Sequence, residues 1–395
     1  MSGVLEGIRV LDFGRYIAGP YCAALLADMG AEVIRIEKVD GSEDRYNVPF
    51  TAAGEGPGFL QMARGKRGMT LNPTKPEGRE IVRRLVATAD VVVANLPRPT
   101  LVAMGLDLES LQAVKPDIIL TTASAYGSTG PYAERVGFDA VAQAMSGNMY
   151  LSGDGTTPMK SYVPYVDFAT AALTAMGTVA ALLHRKQTGV GQMVEGSLLA
   201  TALTIANAPL MEQAQLGLDR EATGNRGQTA GPVDCFRTRD GWIMLQVVGD
   251  PLFARWARLM GEESEWLEDP RFGSDAARGE HGELISARMQ RWCDERSNAD
   301  ALAALAEARI PCGEVLSPAR ALVDPHVVEA GFLKPVAYPG TAAPALIADT
   351  PVKFSATEAG IRGRAPTLGE HTDAILEELG YDAEAIAGLR TARVV

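Results

Sequence analysis

The chain of 395 residues is long enough for two domains, and its 47% hydrophobic and 22% charged residues are typical of globular proteins. A formal net charge of −12 argues against a nucleic-acid-binding protein, which normally presents a basic surface, so no nucleic-acid partner is expected. The four cysteines and four histidines show no ligand spacing, which argues against a disulfide framework and against a metal site.

The first predicted elements form a βαβ unit. Residues 8–13 (IRVLDF) are a short β-rich run, and residues 20–30 predict a helix with Pro20 in its first turn and Gly30 at its end. Residues 31–38 (AEVIRIEK) predict the second strand.

The same alternation continues along the chain. The further predicted elements are a helix at 76–88, a strand at 90–95, a short helix near 108–114, a strand at 117–122, helices near 138–148 and 167–186, a strand at 191–197 and a helix at 198–216. Strands that alternate with helices predict a parallel sheet covered on both faces, and therefore an α/β domain.

A change of composition near residue 224 marks a second domain. The segment 224–232 is rich in glycine, and residues 233–248 contain two β-rich runs joined by an Arg-Asp-Gly turn, which is typical of a hairpin. Helical patterns follow at 251–260 and 282–309. We therefore expect a smaller α+β domain at about 225–325.

Neither a secretory signal nor a membrane span is predicted. The segment MSGVLEGIRVLDFG has no basic region before a long apolar core. The apolar stretch 168–183 is rich in alanine and threonine and predicts a buried helix. We expect a cytoplasmic protein with no membrane partner.

The turn after the first strand, FGRYIAGP, differs from a dinucleotide-binding turn. It contains only Gly14 and Gly19 where a nicotinamide fingerprint would show G-x-G-x-x-G, and the second strand ends in Glu37 and Lys38. A cation at that strand end suits a phosphorylated ribose instead.

Several basic residues could form a site for a small anion in spite of the negative total charge. Lys66 and Arg67 are adjacent, Arg15 and Lys38 lie upstream, and Arg98 lies downstream. The alternative is that these side chains are ordinary solvated surface, and both interpretations stay open.

Asp167 is a single acid at the start of a long apolar run, PYVDFATAALTAMG. One interpretation makes it the N-cap of the following helix, because helix N-termini favour anions. The other makes it a poorly hydrated carboxylate that acts as a nucleophile. With a reference pKa of about 4, we expect it to be ionised at neutral pH, since the helix end opposes the rise in pKa that desolvation causes.

Seven stretches, in order along nearly the whole chain, resemble the class III CoA-transferases, the group that includes formyl-CoA:oxalate and carnitine CoA-transferases. These stretches are VLDFGRYIAGPYCAALLADMGAEVIRIEK, KRGMTLNPTKPEG, VVVANLPRP, YGSTGPYAERVGFDAVAQAMSG, ALLHRKQTGVGQMVEGSL, GNRGQTAGPVDCFRTRDGWIML and APTLGEHTDAILEELG.

The resemblance implies that Asp167 is the catalytic nucleophile. Its carboxylate would attack an acyl-CoA thioester to give an aspartyl anhydride and then an aspartyl-CoA thioester, which an incoming carboxylic acid opens. The substrates would be an acyl-CoA and a free carboxylic acid, with no tightly bound cofactor. Their identities stay open.

The resemblance also implies a set of CoA contacts. These residues are Ile17, Ala18, Lys38, Leu71, Asn95, Leu96, Arg98 and Arg135. One position departs from the family, because Ala103 stands where a basic residue is usual, and Arg98 is the residue that could compensate. The glycine-rich segment, with Gly227 and Gln228, would be either a lid over the site or a plain interdomain linker.

Two alternatives to CoA transfer remain. The superfamily that this chain resembles also contains the α-methylacyl-CoA racemases. These enzymes carry a histidine at the position of Phe138, and a phenylalanine ring cannot take a proton. A catalytically silent CoA-binding protein is the other alternative. Five further side chains could line an acyl pocket, although core packing is the expected role, namely Met149, Tyr150, Met159, Tyr162 and Tyr165.

The resemblance implies an α/β architecture, with a large Rossmann-like domain whose parallel sheet is built from both chain ends, plus a smaller α+β domain. The large CoA-binding domain would span 1–200, with 330–395 returning to it. A linker at 201–224 would lead to the small domain at 225–325, and 326–395 would hold the second linker and the C-terminal part. The resemblance further implies an intertwined, ring-like homodimer.

Overall fold

The computed structural model describes residues 3–395, which form two compact units. The large unit comprises the chain up to Ser146, together with Ser161–Pro209 and Glu329–Val395. The small unit comprises Gly147–Lys160 and Leu210–Val328. The C-terminal segment therefore belongs to the same unit as the N-terminal part of the chain.

The large unit is built on a parallel sheet. Its strands are β1 Arg9–Asp12, β2 Glu32–Glu37, β3 Arg67–Thr70, β4 Val91–Ala94, β5 Ile119–Ser124 and β6 Met193–Ser197. They are ordered β3-β2-β1-β4-β5-β6, and every neighbouring pair is parallel. The predicted parallel α/β sheet is confirmed. β3 was not predicted, and RGMT becomes a strand through its parallel pairing with β2, which is distant in sequence.

Helices alternate with these strands. Within residues 3–395 the α-helices are, in chain order, α1 Ala18–Asp28, α2 Pro57–Met62, α3 Pro76–Thr88, α4 Arg98–Met104, α5 Leu108–Val114, α6 Asp139–Met145, α7 Asn148–Leu151, α8 Tyr165–Thr188, α9 Leu198–Ile205, α10 Asn207–Leu216, α11 Asp250–Met260, α12 Glu263–Leu267, α13 Asp275–Glu280, α14 Gly282–Asp294, α15 Asn298–Glu307, α16 Pro318–Ala321, α17 Pro325–Glu329, α18 Thr372–Glu378 and α19 Ala383–Thr391. The helix predicted at 198–216 is divided at Ala206 into α9 and α10.

Both faces of the large sheet are covered by helices. Val10 and Val33 point to a core shared with α1 and α8. Leu11 and Ile34, the next residue along each strand, point to a core shared with α3, α18 and α19. Because successive side chains of a strand alternate between faces, these valine- and isoleucine-rich strands are buried on both sides.

The small unit contains an antiparallel sheet covered by helices. Its strands are β7 Val233–Arg237, β8 Trp242–Gln246 and β9 Cys312–Glu314, in the order β7-β8-β9. β7 and β8 form the hairpin that the Arg-Asp-Gly turn predicted. Phe236 and Ile243 pack with Trp256 of α11 and Met289 of α14 in the core of this unit.

The C-terminal segment joins the large unit mainly through helices. Ile375 of α18 and Leu389 of α19 are buried in the core on one face of the sheet. The strands of this segment, β10 Leu333–Val336 and β11 Ala345–Ala348, form a separate antiparallel pair. The prediction that the parallel sheet is built from both chain ends is therefore wrong, because all six strands of the large sheet come from the chain before residue 198 and the C-terminal segment adds helices to the sheet.

One described helix, α8, is long and apolar enough to cross a membrane by length and composition, and buried core helices meet the same criteria. One side of α8 packs on the large sheet, where Ala171, Ala175 and Leu182 are buried. The stretch 168–183 is helical, as predicted, but it is buried on one side only: Leu173, Met176 and Leu183 are exposed, so the prediction of a buried helix is wrong for the other side.

Candidate active site

The candidate site lies at the carboxyl edge of the large sheet, where the strand order reverses. β1 is flanked by β2 on one side and by β4 on the other, so successive crossovers leave in opposite directions. In open parallel sheets, ligands bind in the crevice outside the strand ends at such a point. The turn 13–17 follows β1 and Asn95 follows β4, so both lie at this crevice.

Asp167 lies in the first turn of α8 but does not cap the helix. The N-cap position is Pro164, which offers no side-chain hydrogen bond. The carboxylate that caps α8 is that of Asp139, whose Oδ2 accepts hydrogen bonds from the backbone N–H groups of Val166 at 2.7 Å and Asp167 at 3.0 Å. The N-cap interpretation of Asp167 is therefore wrong, because another helix supplies the cap.

The carboxyl group of Asp167 is half-buried, and no residue among 3–395 donates a hydrogen bond to it. Burial, and then the nearby negative charge of Asp139, raise the pKa of Asp167 from 3.8 to about 7. The expectation that this pKa stays low is contradicted, because desolvation and the like charge of Asp139 both raise it. Near neutral pH the group exists in both protonation states.

Asp139 is held firmly in its capping position. It is the first residue of α6 and is 5% exposed. Its other oxygen, Oδ1, accepts a hydrogen bond from the side-chain amide of Gln143, one turn further along α6. The Gln143 carbonyl Oε1 in turn accepts from the backbone N–H of Ser161 at 2.9 Å. This chain of hydrogen bonds joins α6 to the segment that leads into α8.

A small apolar cluster connects the first βα turn with the start of α8. Ala18, the first residue of α1, is buried together with Ala142, Val166 and Leu198. Val166 is the neighbour of Asp167, so this cluster brings two predicted site residues, Ala18 and Asp167, into the same part of the large unit.

The remaining apolar CoA candidates follow the strand ends but differ in exposure. Ile17 is half-buried at the N-cap position of α1, and Leu96 is half-buried after β4. Leu71 follows β3, and its side chain is buried in the core of the sheet at 1% exposure. The Leu71 side chain therefore faces the protein interior, and only its backbone borders the sheet edge.

The charged CoA candidates are exposed. Lys38 follows β2 and forms an ion pair with Glu43. Arg98 begins α4. The Arg135 guanidinium lies 4.0 Å from the centre of the Tyr132 ring, in the segment after β5. All three follow carboxyl ends of strands in the large sheet.

Ala103 stands where a basic residue is usual in the family, and a basic side chain of another helix lies next to it. The Arg79 guanidinium of α3 donates a hydrogen bond to the Ala103 carbonyl. A cleft of about 330 Å³ opens beside it, between α3, α4 and α5. Local sequence could not identify Arg79, because the pairing depends on the packing of α3 against the end of α4.

Part of the predicted basic cluster forms a buried charge network instead of a surface. Lys66 Nζ donates to Asp12 Oδ2 at 2.7 Å, and the Arg35 guanidinium donates to Asp44 at 2.6 Å. Arg15 donates to the backbone carbonyls of Phe13 and Gly14. The solvated-surface interpretation is wrong for Lys66, which is 4% exposed.

The lid candidates belong to the small unit, where they are hydrogen-bonded. The Gly227 N–H donates to the Val233 carbonyl at 2.7 Å, and the Gln228 amide donates to the Glu221 carbonyl at 2.7 Å. The role of this segment as lid or linker stays a prediction.

The expectation of core packing for the acyl-pocket candidates is wrong for three of them. Tyr150 is 61% exposed, Met159 is 55% exposed and Tyr162 is 96% exposed. Tyr165, in contrast, packs against the small cluster around Ala18 and Val166.

Among residues 3–395, no group of three or more His, Cys, Asp or Glu side chains could hold a metal ion.

Sequence reasoning missed Asp139 as a functional residue. Asp139 lies within the stretch YGSTGPYAERVGFDAVAQAMSG, which resembles the family, but the sequence analysis assigns it no role. A signal was present, because an acid within such a motif, upstream of a helix that lacks its own cap, could supply the missing acceptor.

The chain matches the family model of CoA-transferase family III over residues 5–372. The chain belongs to CoA-transferase family III. It is 34% identical to the succinyl-CoA:mesaconate CoA-transferase of Haloarcula marismortui, covering 96% of this chain and 97% of that protein. It is 33% identical to the succinate–glutarate CoA-transferase of Agrobacterium fabrum, covering 95% of each.

A solved structure of a CAIB/BAIF family protein from Brucella suis has the same fold. It superposes with a TM-score of 0.83 at 31% identity and covers 96% of this chain and 100% of that one. The protein is therefore a family III CoA-transferase enzyme, and CoA thioesters are the substrates of this class.

Proposed function

We propose that this CoA-transferase works through Asp167 as a covalent nucleophile. The Asp167 carboxylate attacks the carbonyl carbon of the acyl-CoA, and the C–S bond breaks to release CoA thiolate and leave an aspartyl–acyl anhydride. The thiolate then attacks the aspartyl carbonyl of this anhydride, which releases the donor carboxylate and leaves an aspartyl-CoA thioester. The acceptor carboxylate reverses both steps, which yields the new acyl-CoA and frees Asp167.

The observation that carries this proposal is the state of the Asp167 carboxyl group. It is half-buried, accepts no hydrogen bond from residues 3–395, and has a pKa raised to about 7. A poorly hydrated carboxylate is more nucleophilic than one in bulk water, and exclusion of water protects the anhydride and the thioester. Since Asp139 already caps α8, Asp167 is not needed for that structural task.

For the substrates, we propose succinyl-CoA as the CoA donor and a short dicarboxylic acid as the acceptor. The support comes from relatives that match almost the whole chain and whose names share succinate or succinyl-CoA, with glutarate, mesaconate or D-citramalate as the other acid. A mass-spectrometric screen of acyl-CoA donors against a panel of mono- and dicarboxylic acids tests this choice. Transfer only to monocarboxylic acids would contradict it.

Replacing Asp167 by alanine tests the nucleophile. We expect transfer to be lost while CoA still binds, and we expect the wild-type protein with donor to gain the mass of an acyl or CoA adduct that hydroxylamine traps at Asp167. The matched control is Asp382→Ala, which removes the acid that caps α19 and should keep transfer. Transfer by Asp167→Ala would contradict the mechanism. Solvent deuterium at the substrate α-carbon without acyl exchange would instead support the racemase alternative.

We also propose a homodimer, supported by an exposed apolar stripe on α8. Leu173, Met176 and Leu183 are 45%, 65% and 58% exposed and recur at helical spacing on the side of α8 away from the sheet. Exposed apolar patches of this kind mark interaction surfaces.

The segment with Gly227 and Gln228 remains our proposal for a lid.

A further inference from the structure

The side chain of Asn95 makes two hydrogen bonds to the backbone of one residue in the turn after β1. Asn95 Oδ1 accepts from the N–H of Arg15 at 2.7 Å, and Asn95 Nδ2 donates to the carbonyl of Arg15 at 2.8 Å. Just before this point β1 pairs with β4, and the N–H of Phe13 donates to the carbonyl of Val93 at 2.9 Å. The Asn95 amide thus continues the ladder between β1 and β4 beyond the strand ends.

The residue that follows Arg15 has a strained backbone. Tyr16 has a φ of 59°, in the left-handed region, where the Cβ of a bulky residue crowds its own backbone. Such conformations persist only where neighbouring contacts impose them, and they cluster at functional sites. Asn95 provides contacts immediately before Tyr16, and the exposed ring of Tyr16 meets the ring of Phe138 edge-on at 5.6 Å after it.

The strained turn leads directly into the start of α1. Ile17 occupies the N-cap position without a side-chain cap, and Ala18 and Gly19 begin the helix. A Cβ on Gly19 would lie 2.8 Å from Asn95 Oδ1, so the amide packs closely against the first turn of α1 as well. The Asn95 side chain therefore contacts the chain at both ends of the segment from Arg15 to Gly19.

We propose that Asn95 is a positioning residue for CoA binding, which holds the turn Arg15–Ala18 in the shape that receives the CoA thioester. Asn95 then acts through the turn, because its amide oxygen accepts a hydrogen bond from the Arg15 N–H and its amide nitrogen donates one to the Arg15 carbonyl. This inference rests on the proposed function, in which CoA lies along Ile17 and Ala18.

The variant Asn95→Ala tests the inference by calorimetric titration with CoA and by steady-state kinetics. We expect the Kd for CoA and the KM for acyl-CoA to rise about tenfold, the scale of one or two lost hydrogen bonds. We expect kcat to change little, because Asp139 and Asp167 keep their contacts. Asn95→Asp should weaken binding too, since an oxygen would then face the Arg15 carbonyl.

A second substitution separates positioning from direct contact. Tyr16→Gly in the Asn95→Ala background should recover part of the lost CoA affinity, because glycine adopts a positive φ without steric penalty. A direct contact between Asn95 and the nucleotide could not be recovered in this way. Wild-type CoA affinity in Asn95→Ala, or no recovery in the double variant, would overturn the inference.

The matched control is Asn298→Ala in the small unit. The Asn298 amide is likewise hydrogen-bonded at both ends, to Thr238 and Glu314, so this variant should lower thermal stability without changing CoA affinity. Because CoA binding is measured without turnover, the two proposals fail separately. CoA transfer by Asp167→Ala would contradict only the proposal that Asp167 is the nucleophile. An unchanged Kd for CoA in Asn95→Ala would contradict only the proposal that Asn95 positions the turn.

Discussion

Two carboxyl groups share the start of α8 and have different tasks. Asp139 is buried, accepts hydrogen bonds from two backbone N–H groups and from Gln143, and is therefore kept as an acceptor. Asp167 is half-buried, and its pKa is raised to about 7 by burial and by the charge of Asp139. Environment thus separates two chemically identical side chains into a helix cap and a candidate nucleophile.

Asp139→Asn should shift the pH dependence of the acylation step. The substitution removes a negative charge but keeps an oxygen that can accept from Val166 and Asp167, so the pKa of Asp167 should fall from about 7 towards 3.8. The ionised fraction at acidic pH then increases. We expect the acidic limb of the pH–rate profile to move to lower pH by about one unit. The measurement is single-turnover acylation between pH 5 and 9.

The matched comparison for this prediction is Asp139→Ala. Alanine removes both the charge and the capping oxygen, which should also lower thermal stability by about 1 kcal/mol. An acidic limb that stays in place in Asp139→Asn would contradict the electrostatic coupling between the two carboxyl groups.

At the scale of elements, buried ion pairs join the strand ends of the large sheet. Asp12 ends β1, Arg35 belongs to β2 and Lys66 directly precedes β3. Burial alone would raise the pKa of Asp12, but the charges of Lys66 and Arg35 outweigh it and lower this pKa to about 2. Burial lowers the pKa of Lys66 to about 8. Asp12 and Arg35 also hydrogen-bond the backbone of Gly14, so this charge network holds the beginning of the turn that precedes α1.

Lys66→Met should destabilise the protein by about 3 kcal/mol, because the buried Asp12 carboxylate loses its closest cation and keeps the hydrogen bond from the Gly14 N–H and the longer ion pair with Arg35 at 3.4 Å. The measurement is the free energy of unfolding in urea at pH 7. Asp12→Asn added to Lys66→Met should recover part of this loss, because the uncompensated charge is removed.

The control for this prediction is Lys353→Met, which replaces an exposed lysine and should stay within about 0.5 kcal/mol of wild type. Equal unfolding free energies for Lys66→Met and wild type would show that the Lys66–Asp12 pair does not stabilise the fold.

The pH dependence of stability from this pair follows from the two pKa values. The pKa of Asp12 is lowered in the folded protein, so its contribution is present above pH 4 and is lost as the pH falls towards 2. The pKa of Lys66 is lowered from 10.5, so the folded state binds fewer protons than the unfolded chain between about pH 8 and 10.5. Ionisation of Lys66 therefore opposes folding most strongly below pH 8.

At the scale of the whole molecule, α8 serves two purposes on its two sides. The side with Ala171 and Ala175 is buried on the sheet, and the opposite side with Leu173 and Met176 is exposed and apolar. An apolar helix face left in water is unfavourable, so a partner surface is expected to cover it. A second copy of the chain is the partner that we propose.

Replacing Leu173 and Met176 together by glutamate should convert the dimer to monomers. Charges on the stripe would have to be desolvated in the interface without a partner, which weakens association strongly. The measurement is the molar mass from light scattering after size-exclusion chromatography. Leu284→Glu, at a 46% exposed leucine of α14, is the control and should keep the wild-type mass. A wild-type mass for the double variant would exclude this stripe as the dimer interface.

Local patterns predicted much of the fold. The strands β1, β2, β4, β5 and β6, the hairpin β7–β8 and helices such as α3 and α5 fall close to their predicted ranges, because their apolar periodicities and their proline and glycine boundaries are local properties. The four-residue strand β3 and the break at Ala206 were not predicted. β3 depends on its pairing with β2, whereas the break at Ala206 has a local cause in Pro209, which cannot donate a hydrogen bond to the Ile205 carbonyl.

The amino-acid sequence by itself determined the fold class, the membership of the family and the choice of Asp167, because strand and helix periodicity and ordered motifs are written along the chain. Only the tertiary structure decided that Asp139 caps α8, that Asn95 holds the turn after β1 and that Lys66 is a buried partner of Asp12. Each of these roles joins residues 27 to 80 positions apart. Hydrogen bonds and ion pairs depend on distance and burial in space, and local sequence carries neither.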